Sequence, residues 1–460
     1  MKNPDTSNDS IINSRIVEFK VEGGGAWELI VPKTVYPPRE DTKVLAEAIL
    51  SLDIEASTAV EIGCGSGVLS ILLAELGWDV FAFDVNPYAV ATSISNVYEH
   101  GQSERVSVTE GGVGEPGWEI PSEAKLLVWN LPYLEPPDIG TMRLEPIEEA
   151  SMTDIPDGGW SAELMSHVES SGGDDLIVLL LMRSDPRSPS DKRDWVRNGW
   201  SCRVINSLRM GEERVESVAF WKPGGGVGAV TLDECDSTMT EAESLPNRGW
   251  QRISTKSQRR GRGRGGSSWQ FEEGDVAATW KLFIEDESKI HHGLVQTSVG
   301  SAIAEYIGCR TKWPNDLVDK NGQKLGGIIA ESSSNESTIR IGVGINSAPR
   351  IVSGKEVSGW SETLGEHSAE DVFRILDASM SGMFEEIPGL PKPDVEFLLQ
   401  QSWKGISSHL SEGAYPHSPG TGNMRPVGLG EDGGLIVENA GEVSVMTDLD
   451  GLVWHFPSDS

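Results

Sequence analysis

Residues 60–67 read Val-Glu-Ile-Gly-Cys-Gly-Ser-Gly, behind an apolar run and ahead of the amphipathic stretch Val68 to Leu76. Few folds accommodate that order. A strand must turn sharply into a helix, and Gly63, Gly65 and Gly67 let the backbone turn and let a ligand come closer than any Cβ would permit. Further apolar runs at Ala59 to Ile62, Val80 to Phe83, Lys125 to Trp129 and Leu176 to Met182 read as strands separated by helical patterns. Such alternation predicts an α/β domain, a doubly wound parallel sheet with helices on both faces. Asp84 closes the next strand, seventeen residues after Gly67. A carboxylate there can accept both hydroxyls of a ribose. On the glycines alone, a purely structural strand–helix turn stays open.

A length of 460 residues argues for two to four domains. Lys222 to Gly228 reads KPGGGVG, which neither strand nor helix continues easily, so the chain divides there. Beyond it, alternating strands at Val276 to Leu282 and Ile339 to Ile345 mix with a helical stretch from Gly293 to Ile307. The last fifty residues, punctuated by Glu431-Asp432-Gly433-Gly434 and Asn439-Ala440-Gly441, read as a small β-barrel beginning near 405. The expected order is therefore a domain over 1–222, a glycine-rich linker over 223–229, a second domain over 230–404 and the barrel over 405–460.

Thirty-eight basic against seventy-one acidic residues give a net charge of −33, which opposes non-specific nucleic-acid binding. No stretch is long and apolar enough to span a membrane. Met1 to Ser10 lacks the basic and apolar regions of a signal peptide. Cys64, Cys202, Cys235 and Cys309 are widely spaced, with no CxxC pair, so neither a disulfide framework nor a zinc site is expected, and a reducing cytoplasm suits them.

Two more blocks accompany the glycine loop. Residues 130–133 read Asn-Leu-Pro-Tyr at a strand end, and residues 35–42 read Val-Tyr-Pro-Pro-Arg-Glu-Asp-Thr. Together with Asp84-Val85-Asn86-Pro87, they resemble a class I S-adenosylmethionine-dependent methyltransferase, and more narrowly the HemK-like protein-glutamine N5-methyltransferases. The likeness covers about residues 20–222 and extends to Asp157-Gly158-Gly159 and Glu163. It implies S-adenosyl-L-methionine as cofactor, held by Thr42, Glu61, Gly63, Gly65, Gly67 and Asp84. It further implies a substrate glutamine held at Asn130, Leu131, Pro132 and Tyr133, the Gly-Gly-Gln motif of a class 1 translation release factor as acceptor, and a small zinc-binding activator subunit as partner. An amide nitrogen is a poor nucleophile, so alignment and desolvation must carry the reaction, with Asn130 as the catalytic hydrogen-bond acceptor. Two departures stand out. Leu131 replaces the family's usual proline, in a motif shared with adenine-N6 dimethylases of ribosomal RNA. The acid expected beside the adenine is replaced by Val108-Thr109-Glu110-Gly111-Gly112, with Glu110 as its stand-in. Another methyl acceptor, an RNA adenine among them, and a domain serving only for docking remain alternatives.

Four arginines (Arg259, Arg260, Arg262, Arg264) crowd six residues of a strongly acidic chain. By composition this is equally a flexible linker, an RNA-binding segment or a glycine loop folded over an anion. Residues 312–316 read Lys-Trp-Pro-Asn-Asp, followed by Lys324-Leu325-Gly326-Gly327; Asp233 to Thr238 lies upstream and Ile341-Gly342-Val343-Gly344-Ile345-Asn346 downstream. In this order the blocks resemble a biotin protein ligase, an α+β catalytic domain with an SH3-like cap matching Val427 to Val437. The resemblance implies biotin, ATP and Mg2+, with Lys324 on the biotin carboxylate and α-phosphate. Arg262 and Arg264 would order the loop made with Gly261 and Gly263, and Ser237, Thr238 and Gln258 would bond the ureido end. Asp316 either steers the attacking amine and supports Lys324 or caps the following turn. The acceptor is a biotin carboxyl carrier protein. No basic recognition helix is visible, so sequence-specific DNA binding is not expected. Adjacent His291 and His292 do not share a helical face, and no metal site is expected from protein side chains alone.

Overall fold

The apolar runs become strands whose side chains are buried on both faces, the pattern of a sheet covered on each side. In the computed structural model the described residues are 14–133, 156, 158–171, 173–283, 290–333, 337–420, 422–447 and 452–456. They form two compact units. The first takes Met1–Trp195, Cys202–Trp221 and Ile387–Pro391; the second takes Val196–Ser201, Lys222–Glu386 and Lys392–Ser460.

The first unit opens with a hairpin, β1 (Ser14–Val21) and β2 (Gly25–Pro32), then α1 (Glu40–Leu50). Its sheet is built from β3 (Thr58–Ile62), β4 (Asp79–Asp84), β5 (Val106–Glu110), β6 (Ala124–Asn130), β7 (Ile177–Asp185), β8 (Ser201–Met210) and β9 (Glu213–Trp221), in the order β5-β4-β3-β6-β7-β9-β8. The five strands from β5 to β7 run parallel. The expected all-parallel sheet is corrected at one edge, where β9 pairs antiparallel with β7. Only two residues, Gly211 and Glu212, separate β8 from β9, too few for the crossover a parallel pair requires. Chain order reverses between β3 and β6, so the crevice beyond their carboxyl ends is where this kind of sheet receives ligands.

Helices α2 (Val68–Glu75) and α3 (Pro87–Glu99) leave the ends of β3 and β4. Asn86 caps α3 by accepting the Tyr88 N–H at 3.0 Å. Gly67 sets the spacing between the two helices: its φ is 82°, and a Cβ there would lie 3.1 Å from Ser93 Cα. Leu29, Leu45, Ile71, Leu72, Leu126 and Leu179 share the core, each worth about 1.5–3 kcal/mol on full burial. Helix α4 (Gly159–Ser171) completes the part that concerns the site.

The second unit is built on β10 (Val230–Leu232), β11 (Gln251–Thr255), β14 (Val276–Phe283), β15 (Arg310–Lys312), β16 (Asp316–Val318), β17 (Lys324–Ser333) and β18 (Thr338–Ile345), in the order β10-β11-β14-β18-β17-β16-β15. The arginine-rich segment is a hairpin rather than a free linker, with β12 (Gly261–Arg262) paired to β13 (Ser268–Trp269). Helices α5 (His292–Ile307), α6 (Ala369–Phe384) and α7 (Val395–Ser411) pack against the sheet and one another. Asp377 on α6 joins two strands and the bend before β11: its Oδ1 accepts the indole N–H groups of Trp250 and Trp280 at 2.9 Å, and its Oδ2 the Nε–H of Arg252 at 2.9 Å.

A barrel start at 405 falls inside α7, so that boundary is corrected: the first terminal strand begins at Tyr415. The terminal strands form two three-stranded sheets, β22-β21-β26 (Gly422–Asn423, Tyr415–Ser418, Val453–His455) and β23-β24-β25 (Arg425–Leu429, Leu435–Asn439, Glu442–Met446). Trp313 donates its indole N–H to Gly433 O at 2.9 Å, tying the Lys-Trp-Pro block to them. No described helix is long and apolar enough to cross a membrane.

Candidate active sites

Parallel strands share one carboxyl edge, and at that edge the first unit holds a cavity of about 430 Å3. Thr42, Glu61, Gly63, Gly65, Asp84 and the run Asn130-Leu131-Pro132-Tyr133 all border it; Gly67 does not, serving helix packing instead. Asp84 Oδ2 accepts the Gly65 N–H and its Oδ1 the Asn86 N–H, both at 2.9 Å. Burial pushes the Asp84 carboxyl above its ordinary range, while those two backbone bonds pull it down. Glu61 is 2% exposed and takes the Ser70 hydroxyl as donor. Burial drives its pKa up to about 8, the Ser70 bond opposing and the nearby Asp84 adding to the rise.

Thr42 lies in the first turn of α1, where its hydroxyl accepts the Arg39 N–H at 3.2 Å. Asp41, one residue earlier, carries a role that local sequence did not reveal. It is 3% exposed, borders the cavity, and its Oδ2 accepts the Asn130 side-chain N–H at 3.2 Å. With its nitrogen so engaged, the Asn130 amide presents its oxygen in the opposite direction. Tyr133 is buried beside Asn130, and burial, then Asp41 and Tyr36, raise its phenol well above the usual range. The Leu131 N–H is spent on Leu181 O at 3.3 Å.

Glu110 does not border this cavity. It ends β5, the outermost strand, and is exposed; Gly111, Gly112 and Val113 line the wall in its place, with Val85, Trp129 and Trp160. Asp157 is outside the described residues, and Glu163 is exposed on α4. The size of the cavity, its glycine-lined approach and the carboxylate at the end of β4 fit a nucleoside cofactor.

In the second unit a cavity of about 260 Å3 gathers Ser237, Thr238, Gln258, Arg262, Gly263, Asp316 and Lys324. Gly261 stands behind it, its Cβ position 2.6 Å from Trp269 O, and the Arg264 side chain is outside the described residues. Antiparallel pairing of β16 with β17 brings Lys324 Nζ to 2.6 Å from Asp316 Oδ1; Lys312 Nζ lies 3.5 Å from the other oxygen. Asp316 therefore anchors two ammonium groups. Gln258 Oε1 accepts from Thr238 N at 2.8 Å, and Thr279 donates to the Thr238 hydroxyl at 2.9 Å. Arg262 bonds Glu331 at 3.1 Å and the Thr240 hydroxyl at 2.7 Å.

The Ser237 hydroxyl is buried without a hydrogen-bond partner among the described residues, yet it borders the cavity. A buried polar atom in that position fits a ligand that supplies the missing bond. The wall also includes Trp269, whose indole lies 2.9 Å from the Cβ position of Gly344. Any side chain there would displace the indole. The Gly-Val-Gly spacing of Gly342 and Gly344 already signals this, because alternate strand residues share a face. His291 accepts the Gly293 N–H at 3.1 Å and caps α5.

Residues 235–346 match the biotin/lipoate A/B protein ligase family, and residues 40–130 match the ribosomal protein L11 methyltransferase (PrmA) family. The release factor glutamine methyltransferase of Geobacter sulfurreducens is 31% identical over 134 residues, 29% of this chain and 45% of the relative. The enzyme of the same name from Moorella thermoacetica is 34% identical over 108 residues, 23% of this chain and 38% of the relative. The chain thus spans less than half the length of these curated relatives. Among solved structures, biotin protein ligase from Aquifex aeolicus in complex with biotin and ATP is 20% identical, covering 50% of this chain and 99% of that one, with a TM-score of 0.37. An E. cuniculi two-protein complex responsible for methylation of a translation termination factor is 17% identical, covering 41% and 99%, with a TM-score of 0.30.

Proposed function

We propose that this chain, which joins an S-adenosylmethionine methyltransferase domain to a biotin protein ligase domain, is a bifunctional protein-modifying enzyme. Its second unit activates biotin with ATP and transfers it to a lysine of a carrier protein. Its first unit methylates the glutamine of a release factor. The observation that carries the ligase half is the shared cavity of Lys324, Asp316, Gln258 and Ser237, within the segment that matches the ligase family.

The ligase reaction begins with two anions that repel. One pair of unit charges at about 4 Å costs on the order of 4 kcal/mol at an effective dielectric near 20. Lys324 offsets this by standing between the biotin carboxylate and the α-phosphate, held there by Asp316. The carboxylate oxygen bonds to the α-phosphorus as the bridging oxygen to the β-phosphate leaves with pyrophosphate. Mg2+, bound with the nucleotide, would supply charge on that leaving group. Gln258, Thr238 and the unpartnered Ser237 hydroxyl bond the ureido end, and the hairpin bearing Arg262 and Arg264 covers the mixed anhydride against water. A neutral carrier lysine then attacks the acyl carbon, AMP leaves, and the ammonium proton passes to solvent.

In the first unit the cofactor supplies an electrophilic methyl group. Asp84 holds the ribose end, the loop from Gly63 to Gly65 admits the backbone-close part, and Asn130, its oxygen turned outward by Asp41, accepts an N–H of the acceptor amide. Tyr133 packs beside it. The match to ribosomal protein L11 methyltransferases supports a second reading, in which the acceptor is a ribosomal protein. Incubating the purified chain with both nucleotide donors, biotin, a carrier domain, a release factor and a ribosomal protein, followed by peptide mass spectrometry, tests all of this. A biotinylated carrier lysine and a methylated glutamine support the first reading. Methyl on the ribosomal protein alone selects the second, and no biotin on the carrier sinks the ligase half. A small zinc-binding activator belongs to the same proposal and would be added as a separate component.

A further inference from the structure

The acid expected to hold the cofactor's base is not in the cavity wall, and aromatic rings stand there instead. Gly112 and Gly114 follow β5, and both are crowded by neighbouring side chains. A Cβ on Gly112 would lie 3.3 Å from Val85 Cγ1 and 4.0 Å from Ile62 Cγ2; one on Gly114 would lie 3.3 Å from Trp160 Cζ3. Ile62 is paired in register with Trp129, and Trp129 Nε1 sits 3.2 Å from the Cβ position of Gly63. The rings of Trp129 and Trp160 are 6.4 Å apart at 54°. Val85, Ile62, Trp129 and Trp160 all line the cavity, as do Asp84 and residues 111–113, and the loop after β5 touches Val85 and Ile62 at Gly112 and Trp160 at Gly114.

Strand order fixes which part of a ligand meets this stretch. Asp84 ends β4 and Asn130 ends β6, on either side of β3. The reacting group belongs at Asn130, so a nucleoside whose ribose rests on Asp84 sends its base the other way, toward Val85 and residues 111–113. Flat apolar walls with no exposed acid suit the faces of a purine better than its polar edge, because every base has a π-face that stacks on an aromatic side chain.

We propose that Trp160, backed by Trp129, is the base-stacking residue of the first unit, taking over by ring contact the grip that an acid would exert by hydrogen bonding. The proposal deepens the methyltransferase reading and rests on it. One consequence is that base recognition tolerates changes at the purine's hydrogen-bonding edge.

Titration of the full chain with S-adenosylhomocysteine, by calorimetry and by indole fluorescence, provides the test. Binding should quench tryptophan emission in the wild type. Trp160→Ala should weaken affinity about tenfold or more and remove much of the quench, whereas Trp160→Phe keeps an aromatic face and most of the affinity. Equal unfolding temperatures for the two variants exclude collapse of the fold. If Trp160→Ala binds as tightly as the wild type while Asp84→Ala does not bind, the stacking proposal is overturned and the cofactor reading stands. If the wild type binds no S-adenosylhomocysteine, the cofactor reading falls and the proposal with it.

Discussion

Asn130 donates from Nδ2 to Oδ2 of Asp41 at 3.2 Å, a bond between residues 89 positions apart. The other oxygen of Asp41 is held by the Thr42 N–H at 2.7 Å, so the carboxylate is itself fixed by the first turn of α1. A carboxylate accepts only, and it therefore selects one of the two faces that an amide can present.

Replacing Asp41 by Asn removes that selection, because a second amide can offer either nitrogen or oxygen. Methyl transfer should fall on the order of 100-fold through misplacement of the acceptor, with the affinity for S-adenosylhomocysteine unchanged. Single-turnover rates and calorimetry on the same protein separate the two. Equal losses in rate and affinity would make Asp41 a cofactor ligand instead.

Lys324 has one close carboxylate partner in the cavity, Asp316 at 2.6 Å. Lys324→Ala should cut biotin-dependent ATP–pyrophosphate exchange on the order of 1000-fold, since the cation bridging two anions is gone. Asp316→Asn leaves the cation and loosens it, so the loss should be smaller and should also appear in transfer from preformed biotinyl-adenylate. Exchange at the wild-type rate in Lys324→Ala would remove the lysine from the mechanism.

His409 on α7 is buried, accepts the Thr311 N–H at 2.8 Å, and has its pKa pushed down to about 4, by burial first and then by Arg310. An unfolded histidine titrates near 6.5, so the unfolded chain binds the proton first as pH falls. Stability of the second unit should therefore be lost between about pH 6.5 and pH 4, by on the order of 3 kcal/mol. Urea melts across that window, wild type against His409→Gln, should show the slope flattened in the variant.

Glu61 shifts stability in the opposite direction. Its folded pKa of about 8 lies above the unfolded value of 4.5, so the stabilisation is complete below pH 4.5 and declines as pH rises toward 8. Glu61→Gln keeps the neutral shape and should remove that decline in the first unit. An unchanged pH profile would show that Glu61 is ionised in the folded chain.

The glycine loop, the strands around it and the Lys-Trp-Pro-Asn-Asp block are legible because each is local: a short continuous apolar run, a turn that only glycine makes, and residues adjacent in the chain. Asp41 could not be assigned its partner, since the bond to Asn130 crosses most of the first unit. Helix α7 is hidden in the sequence for a different reason. Its buried positions are Leu398, Ser402, Ile406 and His409, and two of the four are polar, which erases the apolar period. Ser402 is satisfied by Ser298 at 2.8 Å and His409 by Thr311, both supplied by distant segments. Glu110 was misplaced because a strand-end acid reads the same whether its strand is central or at the edge.

The chain passes from one unit to the other five times. Within the first unit, Gly389 O accepts the Asp53 N–H at 2.8 Å, Pro391 O accepts from Arg203 at 2.9 Å, and Leu390 sits in the core. Within the second, Ser201 donates to Ser381 at 2.6 Å. Scissors applied at the glycine run would strand Ile387–Pro391 of the first unit on the second unit's fragment, and Val196–Ser201 of the second on the first's. A gene split there yields two wounded halves, so separating the two proposed activities calls for point substitutions in an intact polypeptide.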